Sequence, residues 1–129
     1  MVLLENQNTS CLRPMPPPAA VAARLCRLVE LATAVAFAVP VNELRAPTRR
    51  CASVAFARQS AMYLAHVVFA LDYSTVGQLF HRDRTTAAHA CRLIEDRRDN
   101  PAFDRLLQML EDVCGDIARD ILAASGARP

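Results

Sequence analysis

Arg82, Asp83, Arg84, Thr85 and Thr86 stand together between two apolar stretches. Guanidinium, carboxylate and hydroxyl groups gathered at the front of one helix can hydrogen-bond base edges in a DNA groove. His89 and Arg92 follow at helical spacing and share the outward face of that helix with Thr85 and Thr86. Upstream, Arg58 is a charge inside an Ala-rich stretch, and Arg49 and Arg50 close a basic loop. Each residue has a plainer reading. Asp83 is also a natural N-cap, Thr85 and Thr86 suit any first helical turn, and Arg58 could pair with an acid on a solvated face. No G-x-S-x-G nucleophile motif occurs, so enzymatic activity is not expected. His66, His81 and His89 lack metal-ligand spacing, and no C-x-x-C pair supports zinc, so no metal site is expected.

The elements that must position these groups are helices. Residues 1–18 carry no period and end in Pro14, Pro16, Pro17 and Pro18, which reads as a flexible leader. Val21, Leu25, Leu28, Ala32 and Val35 form an apolar stripe that should end before Pro40. Val41–Arg45 suits one short turn, and a second helix should run from about Cys51 to Ala70. After Leu71–Ser74, Ser74 is the expected cap of a short helix, about Thr75–Phe80, that exposes Gln78. His81 and Arg82 make a turn, and Asp83 caps a helix from Arg84 to about Arg98 whose inward face is Ala87, Ala90, Leu93 and Ile94. Pro101 opens a last helix with the stripe Phe103, Leu106, Leu107, Leu110, Val113, Ile117 and Ile121. Gly115 should weaken it by roughly 1 kcal/mol relative to Ala. Its outer face carries Asp104, Glu111, Asp112 and Asp116, which DNA would repel. No strand pair and no repeat is visible.

A chain of 129 residues that is 53% hydrophobic can bury the core of one domain. All 15 basic residues are Arg, which suits planar, paired recognition of guanine and phosphate, although genome composition alone can produce such usage. Residues 45–98 hold nine Arg against four acids, a net of +5, and residues 99–129 hold three against six, a net of −3. The five Cys make no C-x-x-C pair and mostly fall in apolar helical patterns, where Cys acts as a small hydrophobe in a reducing compartment. Met1–Ser10 lacks the pattern of a signal peptide, and the longest uncharged run near Leu31–Asn42 is too short to span a bilayer. A cytoplasmic, nucleoid-associated location follows as the expectation.

The run Arg82-Asp83-Arg84-Thr85-Thr86 with His89-Ala90-Cys91 resembles the C-terminal DNA-binding domain of the bacterial replication initiator DnaA. Val41-Asn42-Glu43-Leu44, the basic loop to Arg50, Ala57-Arg58-Gln59, Ala61–Ala65, and Gly77 with Phe80 extend the resemblance over about residues 20–98. It implies an all-α, Trp-repressor-like helix-turn-helix bundle of about five or six helices, here with an added C-terminal helix over 99–129. It implies that Arg58 enters the minor groove and that Asp83, Arg84, Thr85 and Thr86 meet bases in the major groove. Arg49, Arg50, Arg82, His89 and Arg92 are the expected phosphate contacts. Two departures stand out. The family usually shows two glycines before Arg-Asp, whereas this chain has one residue fewer there and that residue is His81, so a remodelled turn is expected. The family usually has His at the place of Arg84, so base preference is expected to differ.

The resemblance implies double-stranded DNA with DnaA-box-like sequence as the partner, with no membrane. The chain has three Gly and no Lys, so it cannot form the phosphate-binding loop of a P-loop ATPase. A free-standing domain without nucleotide or other cofactor is the expectation, regulating replication initiation or transcription. The competing reading is a protein-interaction module that has lost DNA affinity and holds a partner, or a second copy, through the C-terminal helix.

Overall fold

The computed structural model describes residues 17–46 and 51–124. Among these, five α-helices and one 3₁₀ turn occur and no strand does: α1 (Ala19–Phe37), the turn Val41–Leu44, α2 (Ala52–Phe69), α3 (Tyr73–Leu79), α4 (Arg84–Arg97) and α5 (Pro101–Ala124). The all-helical bundle expected from periodicity is therefore the architecture observed. Most of the Pro-rich leader lies outside the described residues, as do Cys11, Arg49 and Arg50.

The helix ends follow local chemistry. Ala38 turns left-handed at φ 56° after α1, and the Val39 N–H closes on the Ala34 carbonyl at 3.0 Å before Pro40 forbids continuation. The short helix α3 starts earlier than expected. Asp72, not Ser74, caps it, accepting the Thr75 N–H at 2.8 Å. A carboxylate answers both the unpaired N–H groups and the positive helix end, which a hydroxyl does less well. Asp83 caps α4 as expected, accepting the Thr86 N–H at 2.7 Å. Asn100 caps α5 through the Phe103 N–H at 3.1 Å, with Pro101 at the first helical position.

One core joins all five helices. Leu25 and Val29 of α1, Met62 and Leu64 of α2, Val76 and Phe80 around α3, Ile94 of α4 and Leu107 of α5 are at most 1% exposed. Full burial of such side chains contributes roughly 1.5–3 kcal/mol each. α2 packs against α1 on one side and α4 on the other, and α4 also holds α3. The α2 and α4 surfaces in this core are rich in alanine (Ala61, Ala65, Ala87 and Ala90), so the two helices can approach closely. Cys26, Cys91 and Cys114 are buried apolar fillers, and burial pushes the Cys26 thiol up to about 12 and the Cys91 thiol up to about 11. Cys51 differs: it is exposed at the start of α2.

α5 corrects one expectation. Its buried face is Leu107, Leu110, Cys114 and Ala118, while Val113 and Ile117 are 44% and 40% exposed. The small side chains of Cys114 and Ala118 let α5 lie close on α1 and α2, which turns the larger Val113 and Ile117 outward. Gly115 does not interrupt the helix. Two of the acids expected on the outer face are drawn to the junction with α4. Arg98 donates to Asp104 at 2.5 Å, to Glu111 and to the Tyr63 hydroxyl at 3.0 Å. These contacts fasten α5 to α2 and to the end of α4.

Candidate nucleic-acid interface

The turn between α3 and α4 sets the aim of α4. The His81 N–H donates to the Gln78 carbonyl at 3.2 Å and the Arg82 N–H to the Gly77 carbonyl at 2.7 Å. This nested pair is a Schellman closure, which requires a left-handed residue at its hinge. His81 supplies it, at φ 58°. Histidine enters that region more readily than most non-glycine residues, which is how the chain turns there without glycine. Gly77 is needed for a different reason. A Cβ there would lie 2.7 Å from the Arg82 carbonyl oxygen and 2.9 Å from that of Asp83. Both are backbone atoms at the entrance of α4, so only glycine lets α3 and α4 meet this closely.

Beyond the turn, Asp83, Arg84 and Thr85 are exposed and Thr86 is half-buried. Arg84 reaches back toward the Tyr73 ring, 6.0 Å from its centroid, and Tyr73 stacks on His66. His89 and Arg92 continue the exposed face of α4 at the next two turns. The cap bonds from Thr86 hold the Asp83 carboxyl below its ordinary range, so it is anionic at neutral pH. Beside this face lies a groove of about 390 Å³ between α2 and α4, lined by residues that include Arg58, Gln59, Arg82, Thr85, Thr86 and His89. Of the expected site residues, Arg58, Arg82, Thr85, Thr86 and His89 therefore meet along one groove, while Asp83, Arg84 and Arg92 lie outside its lining.

Arg58 lies deeper than the exposed residues of α4. It is 5% exposed, at the groove floor. Its guanidinium donates to the Leu44 carbonyl at 2.8 Å, the Glu43 carbonyl at 3.2 Å and the Ala46 carbonyl at 3.5 Å. The α2 register carries it under Val41–Leu44, where three backbone acceptors converge on the guanidinium fork. That geometry seats the guanidinium at the base of the groove. Arg82 also turns inward, donating to the carbonyls of Ala46 at 2.8 Å, Phe80 at 3.1 Å and His81 at 3.2 Å. Arg58 and Arg82 thus share the Ala46 carbonyl and tie residues 43–46 to the helix-turn-helix. The sequence signal for this pairing was weak: a lone Arg in an apolar stretch, with the unsatisfied carbonyls of a distant turn.

A family model described as the bacterial dnaA protein helix-turn-helix matches residues 26–94, from the middle of α1 to near the end of α4. A solved structure titled as a crystal structure of a DNA replication initiation factor superimposes with a TM-score of 0.69 at 26% identity. That alignment covers 77% of this chain and 30% of the other, so this chain spans less than a third of its length. The matched region contains α2, α3, most of α4 and the turn around His81, and α5 lies beyond it. On this match over more than half its length, the chain belongs to the bacterial DnaA helix-turn-helix family.

Proposed function

We propose that this protein binds double-stranded DNA in a sequence-specific manner at DnaA-box-like sites and thereby regulates replication initiation or transcription. The observation that supports it most is the start of α4, where Asp83, Arg84 and Thr85 are exposed and Thr85 and Thr86 line a groove shared with α2. In this reading α4 enters the major groove N-terminus first, so its dipole also favours the phosphates. Arg84 grips a guanine through O6 and N7, and Asp83, Thr85 and Thr86 meet neighbouring bases. Arg49, Arg50, Arg82, His89 and Arg92 face phosphates, and log K falls by about 0.9 per neutralised phosphate per log unit of salt. Arg58, seated at the groove floor by the carbonyls of residues 43, 44 and 46, is the contact to the minor groove beside the major-groove site.

Selection of bound duplexes from a randomised pool tests this directly. The expected result is one enriched consensus, a variant of the DnaA box. Arg84→His should move that consensus toward the usual box, and Thr86→Ala should cost roughly 1–3 kcal/mol on the preferred duplex. A pool that stays random after repeated rounds at moderate salt would defeat the proposal.

A further inference from the structure

Glu30 has no place in the interface, yet it is completely buried in α1. Its Oε2 accepts the Arg45 Nε at 2.8 Å, and Arg27 stands 3.7 Å from Oε1, an oxygen without a hydrogen-bond partner. A buried carboxylate is costly to desolvate and one held mainly by a single arginine is a poor source of stability. Such a pair is better suited to fixing a register. Arg45 lies at the C-terminal end of the Val41–Leu44 turn, and its neighbours are the same residues whose carbonyls Arg58 and Arg82 hold. Segment 43–46 is thereby fastened from three helical directions: by Glu30 of α1, by Arg58 of α2 and by Arg82 of the turn before α4. Arg58 and Arg82 in turn line the groove beside Thr85 and Thr86.

We propose that Glu30 is a positioning residue for DNA binding: through Arg45 it fixes segment 43–46, and so the carbonyls that seat Arg58 and Arg82 in the groove beside Thr85 and Thr86. The idea rests on the DNA-binding reading above. It makes a prediction opposite in sign to simple electrostatics. Glu30→Gln removes a negative charge, which by itself tightens DNA binding. Loss of the pin instead weakens binding to the preferred site while leaving non-specific binding unchanged or slightly tighter.

The test compares the full chain and E30Q in two measurements. The first is affinity for the duplex selected by the wild type and for a scrambled duplex of the same length and composition. The second is amide hydrogen exchange of the DNA-free proteins. The expected result is a specificity ratio lowered about tenfold, with faster exchange at Glu43 and Ala46 and unchanged protection in α2, α3 and α4. Unchanged exchange at those two amides, or an unchanged specificity ratio, overturns the proposal. If E30Q does not fold, the double variant E30Q/R45Q, which leaves no charge in the buried site, is read by the same criteria. A wild-type chain without preference for any duplex would sink the functional reading instead, and the exchange measurement would still decide whether Glu30 fixes the segment.

Discussion

Two arginine clusters in this molecule look alike and act differently. At the α4–α5 junction Arg98 is surrounded by Asp104, Glu111 and Tyr63. Its charge is answered by carboxylates, which raise its pKa further, and the cluster closes a helix onto the bundle. At the groove, Arg58 and Arg82 donate instead to the carbonyls of residues 43, 44, 46, 80 and 81. A carbonyl satisfies a guanidinium N–H without cancelling its charge. Arg82 is held in place in this way and still adds to the positive potential beside Thr85 and Thr86. Hydrogen bonding alone therefore does not separate a structural arginine from one that shapes a binding surface. The charge of the acceptor does.

The contrast can be broken most forcefully at the junction. Arg98→Met leaves Glu111 and the Tyr63 hydroxyl without their shared donor and should cost about 2–3 kcal/mol of stability in urea denaturation. The affinity of the remaining folded protein for DNA should stay the same. A matching fall in intrinsic DNA affinity would erase the distinction between the clusters.

At the groove, Gly77→Ala is the next largest effect. Ala normally stabilises a helix interior by about 1 kcal/mol relative to Gly. Here the new methyl would press on the Arg82 and Asp83 carbonyls, both backbone, so the sign reverses and a loss of about 2 kcal/mol is expected. A stabilised G77A variant in thermal melting would show that the turn is looser than described. His81→Gly should act in the other direction. Relief of the left-handed conformation outweighs the added chain entropy, so a gain of about 0.5–1 kcal/mol is expected. A lower melting temperature for H81G would mean that the His side chain itself holds the turn.

The smallest effect concerns acid. Cap hydrogen bonds hold the carboxyls of Asp72 and Asp83 below their ordinary value of 3.8. A depressed folded pKa contributes stability above the unfolded value, and that contribution disappears as pH falls through the folded one. The first turns of α3 and α4 should therefore loosen together below about pH 3.8. Site-resolved NMR titration checks this, and protection retained at the Thr75 and Thr86 amides well below that pH would remove the caps from the account.

Much of the fold is legible in the residues because periodicity and punctuation are local. Pro40, Asp83 and Pro101 mark boundaries where local chemistry alone forbids or favours a helix. α3 starts two residues before the expected position because Asp72 and Ser74 compete for one capping role, and Tyr73 stacks on His66, a contact from outside the segment. The buried face of α5 is not legible in the residues because Val113 and Ile117 are as apolar as any core residue. Only packing distance to α1 and α2 favours Cys114 and Ala118 there.

By itself the sequence determined the helices, their polar recognition turn and the basic character of the middle of the chain, since each depends on residue types within a turn or two. Tertiary structure alone decided what the arginines do. Arg58 meets carbonyls 12 to 15 residues away, Arg82 meets one 36 residues away and Arg45 meets a carboxylate 15 residues away. A guanidinium takes whichever acceptors folding brings within about 3 Å, and no local pattern encodes that choice.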